Sequence, residues 1–353
     1  MSHLFEPFAL RSLTLRNRIL VAPMCTYSAV DGLASDWHLV HLGSFALGGA
    51  ALVIAEATAV APEGRISASD LGLWSDAHAA ALAPVARFVR DHGAVPCIQL
   101  AHAGRKASTA APWLGGKPLT AADGAWQTVA PSAVAFGAYP APRALSVAEI
   151  QAIPDAFAAA ARRAAAAGFQ AVELHMAHGY LLHQFLSPLS NHRSDAFGCS
   201  QAGRMQLPLR VAAAVRLAFP AELPVLVRIS ATDWKEGGWD LAGSIALCHA
   251  LRALGIDFID VSTGGLAHDQ HLQPGPGFQV PFAAAIRRET GMATGAVGLI
   301  TAPEQAEQIV ANGEADAVLL ARELLRDPHW PLRAAKALGA EGNWPKQYLR
   351  AKT

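Results

Sequence analysis

Short apolar, β-branched runs recur along the chain, each followed by enough residues for one helix. The first, at 18–23, is continuously apolar and stopped by Pro23, and a helix from about Asp36 to Leu47 follows. A second run at 51–56 leads into an alanine-rich helix from about Asp76 to Asp91, and a third lies at 95–100. Ser146 followed by Glu149 has capping-box spacing, and the helix it starts runs through alanines to Gly168, a good C-terminal stop. It delivers the chain to the stretch 173–180. Further strand-like runs fall at 223–229, 258–262, 292–297 and 317–320, separated by plausible helices. About eight βα units are the number that a closed α/β fold, a (β/α)8 TIM barrel, requires. A short N-terminal β-hairpin lid is expected before the first strand. After the third comes an extended loop, from Gly104 to about Leu145, rich in Pro, Gly and Ala and without a clear period, which reads as functional. The runner-up fold, an open doubly wound sheet, lacks any G-x-G-x-x-G after a strand.

Composition narrows this picture. The 353 residues suit one large barrel with insertions, so 1–353 is read as a single domain, and 52% apolar against 16% charged residues implies a substantial core. Lys plus Arg equal Asp plus Glu at 28 each, and no basic run carries interleaved aromatics, so neither nucleic acid nor an anionic membrane is an expected partner. The first ten residues contain Glu6 and Pro7 and lack the pattern of a signal peptide, and no apolar stretch is long enough to span a bilayer. A cytoplasmic location is expected. Cys25, Cys97, Cys199 and Cys248 show no Cys-x-x-Cys spacing, which argues against an iron–sulfur cluster, a zinc ribbon or a disulfide framework.

Candidate chemistry gathers at 173–180, where His175, His178 and Tyr180 close a strand and open a loop. The triplet alone fits a metal site, an anion-binding site or a pair of packed core histidines. The other strand ends weigh on the choice. They supply Pro23, Met24, Cys25, Thr26 and Tyr27; Glu56, Ala57 and Thr58; Gln99, His102, Arg105 and Lys106; Arg228; the glycines at 295 and 298; and Ala321 and Arg322. Amides, cations and glycines suit a planar cofactor bearing a phosphate better than they suit a metal.

The ordered set Met24-Cys25-Thr26-Tyr27, Glu56-Ala57-Thr58, Gln99-Leu100-Ala101-His102-Ala103-Gly104-Arg105-Lys106, His175 to Tyr180, Phe185-Leu186-Ser187-Pro188, and Arg322 with Asp327-Pro328-His329-Trp330 resembles the Old Yellow Enzyme family of flavin ene-reductases, in its thermophilic-like branch. The resemblance covers nearly the whole chain. It implies an FMN-containing TIM barrel that takes hydride from NADPH or NADH and reduces activated C=C bonds of a small unsaturated substrate. It places Pro23, Met24, Ala57 and Gln99 around the isoalloxazine, Arg228 beside its N1 and C2=O edge, and the phosphate at Gly298, Ala321 and Arg322. A guanidinium at the N1 edge offsets the negative charge of reduced flavin. His175 and His178 would grip a substrate oxygen, Tyr180 would donate a proton, Cys25 and Tyr27 would touch substrate or tune the flavin, and Lys106 would lie near the flavin edge or ribityl chain. Tyr348-Leu349-Arg350 resembles a tail that enters a neighbouring subunit's site, so Arg350 is a shared site residue and a homodimer or dimer-based homotetramer is implied. Two stretches depart from the family: Ala321 stands where Gly is frequent, and 191–209 lacks the usual Gly-Gly-Ser-x-x-Asn-Arg. The alternative reading is a metal-dependent TIM-barrel hydrolase built on His175 and His178.

Overall fold

The computed structural model describes residues 2–352. Eight parallel strands close into a barrel in sequential order: β1 (Ile19–Val21), β2 (Leu52–Ala59), β3 (Val95–Ala101), β4 (Ala171–Met176), β5 (Val225–Ser230), β6 (Phe258–Ser262), β7 (Ala293–Ala296) and β8 (Ala317–Leu320), which pairs back onto β1. The principal helices between them are α1 (Asp36–Leu47), α2 (Asp76–Asp91), α3 (Val147–Ala166), α4 (Leu181–Leu186), α5 (Gln201–Ala218), α6 (Leu241–Ala253), α7 (Val280–Thr290) and α8 (Pro303–Ala311), with α9 (Arg322–Arg326) and α10 (Trp330–Ala337) after β8. The expected capping box of α3 forms: the Glu149 amide donates to Ser146 Oγ and the Ser146 amide donates to Glu149 Oε2.

The strands are apolar throughout because both faces are buried. Val172, Leu174, Val227, Ile229, Ile259 and Val261 join the outer core beneath the helices. Their alternate neighbours Ala171, Leu226, Phe258, Ala317 and Leu319 fill the barrel interior. Since side chains alternate with period 2, Glu173 and His175 share the interior face of Ala171, Arg228 that of Leu226, and Asp260 that of Phe258. Polar residues thus take over the interior as the strands rise toward their C-terminal ends.

The N-terminal hairpin forms, pairing Phe8–Leu10 with Leu13–Leu15, but it is a floor and not a lid. Leu10 and Leu15 belong to the interior cluster with Leu20, Leu52, Val95 and Ala171 at the strand starts, and Phe8 and Leu13 pack against it. Arg11 anchors the turn by donating to Asp257 Oδ1 at 2.6 Å and to Gly255 O at 2.8 Å, just before β6. The 104–145 insertion holds short helical turns and one two-residue parallel pair, Val129–Ala130 with Arg143–Ala144. The segment after α4 is ordered by Asn191, which donates to Phe185 O and Phe197 O, and by Arg193, which donates to Pro131 O and Leu145 O of the insertion.

Candidate active site

The register of the strands assembles the site. Gln99 stands opposite Glu173 on β4, while His175, Arg228 and Asp260 are successive partners across β4, β5 and β6. Gln99 Nε2 donates to Glu173 Oε1 at 2.8 Å, which fixes the amide with its oxygen as the free acceptor. Arg228 Nε lies 3.0 Å from Asp260 Oδ2. Burial pushes both carboxyls up, Glu173 further because Asp260 is near, and the Arg228 guanidinium opposes the rise in both. Glu173 and Asp260 were not assigned a role from sequence; polar residues breaking the interior-facing positions of otherwise apolar strands were the available signal.

At the top of β4, His175 is 4% exposed. Its Nδ1 accepts the Ala177 amide at 3.3 Å, so its proton is assigned to Nε2. Its ring lies 4.9 Å from that of Tyr180 and 5.2 Å from that of His178, centroid to centroid, edge-on to both. Burial, reinforced by Arg228, holds both imidazoles well below the usual histidine range, so they are neutral at pH 7. Burial likewise raises the Tyr180 phenol, which stays protonated.

His178 is held differently from His175. Its Nε2 is 2.8 Å from Ser262 Oγ. Gln279 donates to Val297 O, so its own oxygen accepts from Ser262 and Thr263, and Ser262 in turn accepts from His178. The His178 donor is therefore already engaged. Its backbone φ is +57°, its amide donates to Ser230 Oγ at 2.9 Å, and its carbonyl accepts from Lys106 Nζ at 2.9 Å. Lys106 also donates to Gly265 O at 3.0 Å. The turn cannot loosen here: a Cβ on Gly179 would come within 2.3 Å of Gly265 O, and one on Gly265 within 2.7 Å of His178 Cα. Below the turn, His183 accepts the Gly179 amide at Nδ1 and pairs through Nε2 with the buried Asp233 at 2.9 Å.

From the β1 side, Pro23, Met24, Cys25 and Tyr27 follow the strand half-buried, with Tyr27 edge-on to Trp113 at 5.8 Å. Glu56 lies at a β-bulge between Ala55 and Ala57; it accepts the Thr26 amide and faces His38 Nε2 at 3.6 Å, fixing the loop that carries Cys25. Burial raises the Cys25 thiol, with Asp70 and Glu56 adding to the effect. Asp70, which sequence reasoning missed, is 3% exposed and lines an enclosed niche with Ala57 and Tyr180. It accepts from Ser67 Oγ and the Ile66 amide, both at 2.7 Å, and burial raises its carboxyl to about 7.

A cavity of about 300 Å³ at the ends of β7 and β8 is lined by Gly298, Ala321, Arg322 and Arg326. Gly298 has φ +123°, and a Cβ there would meet Gln279 at 2.9 Å. Arg322 beside Gly298, with Arg326 paired to Glu323 at the rim, suits a phosphate monoester. The residues present fit FMN: this recess would take its phosphate, and Gln99 Oε1 and the Arg228 guanidinium would face the pyrimidine edge of the flavin. Arg350 lies elsewhere: it is exposed in the short turn Lys346–Ala351, where Tyr348 packs on His329 at 5.9 Å. Among the described residues no group of three or more His, Cys, Asp or Glu side chains is disposed to hold a metal ion, so the hydrolase alternative lacks a ligand set. Nor is any helix long and apolar enough to cross a membrane among the described residues.

Comparison with known proteins identifies the family and the fold. Residues 3–341 match the NADH:flavin oxidoreductase / NADH oxidase family. NADPH dehydrogenase of Listeria innocua is 46% identical over 356 residues, covering 99% of both chains, and that of Geobacillus thermodenitrificans is 44% identical over 350 residues, covering 98% of both. Morphinone reductase superposes with a TM-score of 0.80 at 28% identity over 98% of this chain and 92% of its own. The Old Yellow Enzyme homologue from Zymomonas mobilis gives 0.79 at 27% over 96% and 94%. A 2-naphthoyl-CoA reductase shares the fold at a TM-score of 0.86 and 24% identity; the chain spans 52% of its length.

Proposed function

Because the chain belongs to the NADH:flavin oxidoreductase / NADH oxidase family, we propose that this FMN-dependent NAD(P)H oxidoreductase reduces activated C=C bonds of α,β-unsaturated carbonyl compounds, with nitro-compounds as further acceptors. The observation that carries this reading is a neutral His175 with its proton on Nε2, placed 4.9 Å from a protonated Tyr180 above the Gln99 and Arg228 edge. Held by these residues, FMN would supply the relay of hydride between NAD(P)H and the acceptor. His175 donates to the acceptor's carbonyl oxygen and stabilises the negative charge that grows there. His178 joins it by exchanging Ser262 for the same oxygen. Tyr180 gives its proton to Cα, a transfer that a phenol can make to a strongly basic enolate carbon. Cys25 and Tyr27 border the acceptor from β1, and Arg350 reaches it from a second copy in a cytoplasmic homodimer or dimer-based homotetramer.

Tyr180→Phe should slow acceptor-dependent reoxidation by roughly 10²–10⁴-fold, the usual worth of a positioned general acid, while leaving reduction by NADPH within about twofold. Anaerobic stopped-flow measurement of each half-reaction, with cyclohexenone as acceptor, checks this. Equal slowing of both halves would count against Tyr180 as the proton donor.

A further inference from the structure

Arg105 and Lys106 are adjacent cations beyond β3, and among the described residues neither forms a direct ion pair with a carboxylate, although Asp233 acts on Arg105 from a greater distance. Arg105 donates to Val134 O and Leu266 O, and Lys106 to His178 O and Gly265 O. The Lys106 ammonium also lies 5.2 Å from the Tyr180 ring centroid and 4.5 Å from that of Phe136. A buried cation satisfied only by neutral carbonyls leaves its charge uncompensated, and the aromatic group beside it that can become an anion is Tyr180.

We propose that Lys106 is a positioning residue for the proton-donating step: its ammonium pins the turn from His178 to Tyr180 onto Gly265 and stabilises the phenolate left when Tyr180 gives up its proton. This rests on the reading of Tyr180 as proton donor. In that step the Tyr180 O–H bond breaks and a C–H bond forms at the acceptor's Cα. The O–H electron pair stays on the phenolic oxygen, and solvent later returns the proton. The phenolate needs such help, because burial disfavours it and the Asp70 carboxylate, when ionised, disfavours it further. Facing Lys106 itself are Arg105 beside it, His175, His178 and Tyr180 from the β4 turn, the Gly265 carbonyl beyond β6 and Phe136 of the insertion, with Arg228 and His183 also acting on the two histidines. Burial, then Arg105, lowers the amine to about 8, so it is charged at neutral pH and loses that charge just above.

The test compares Lys106→Met, Lys106→Arg, Tyr180→Phe and the Met/Phe double variant as FMN-loaded enzymes, following both half-reactions from pH 6 to 9.5. Lys106→Met should retain FMN, be reduced by NADPH within about twofold of wild type, and reoxidise at least about tenfold more slowly with cyclohexenone. Lys106→Arg should recover most of that loss. It should also abolish the fall in reoxidation rate that wild type shows above about pH 8, since a guanidinium does not titrate there. In the Tyr180→Phe background, Lys106→Met should cost clearly less than it does in wild type. The proposal is overturned if Lys106→Met reoxidises as wild type does, if it slows the Phe variant by the same factor, or if arginine restores nothing. A Tyr180→Phe enzyme that reoxidises normally removes the proton-donor reading and this inference together; a slow Phe variant beside a normal Lys106→Met enzyme removes this inference alone.

Discussion

Asp70 shows how a single residue can tie the site to pH. Its carboxyl is buried and raised to about 7, against about 3.9 in an unfolded chain. The fold therefore favours the neutral acid, and the stability this confers is complete below about pH 4 and is lost as pH rises through about 7. Asp70→Asn should flatten the pH dependence of unfolding by up to about 1.4 kcal/mol per pH unit between pH 4 and 7, measured by urea titration at a series of pH values. An unchanged slope would show that Asp70 ionises normally in the folded protein. Sequence did not single out Asp70, because its burial arises from a loop folding over the β2 end, which no periodicity records. The gathering of His175, Tyr180, Gln99 and Arg228 at the strand ends was legible, since each interrupts or closely follows an apolar run. The engagement of the His178 donor by Ser262 was not, because it depends on the orientation of Gln279, a residue of another element.

Among the elements, the hairpin was legible as a hairpin but not as to place. Alternating Phe8, Leu10, Leu13 and Leu15 predict an apolar face, and any open end of a barrel offers a surface to cover it. Its position at the strand starts follows from contacts with Leu20, Leu52 and Ala171, which are remote in sequence. The floor and the chemistry lie at opposite ends of the same strands. Leu15→Ala should accordingly destabilise the enzyme by about 2–5 kcal/mol, the usual cost of truncating a fully buried leucine, while both half-reaction rates stay within about twofold. A chemical denaturation curve and a stopped-flow trace on the same sample decide it; slowed flavin reduction with unaltered stability would return the hairpin to the role of lid.

For the whole molecule, the barrel was readable from eight repeats of one pattern, whereas the tail's destination is not set within one chain. Tyr348 and Leu349 are exposed apolar residues on the turn that carries Arg350, at 40% and 51%. Ending the chain at residue 345 should lower the oligomer mass seen by light scattering and raise KM for the acceptor, with FMN content unchanged; an intact oligomer with unaltered KM would remove Arg350 from the site. Gly179 and Gly265 act at this scale too, since they belong to loops after β4 and β6, with β5 between them, yet a side chain on Gly179 would need the space of the Gly265 carbonyl and one on Gly265 the space of the His178 backbone. The two loops are therefore matched in shape to each other. A loop borrowed from a relative can be seated in one position only if its counterpart is exchanged with it, so the repertoire of acceptors can diversify more freely through the insertion after β3 than through either of these turns.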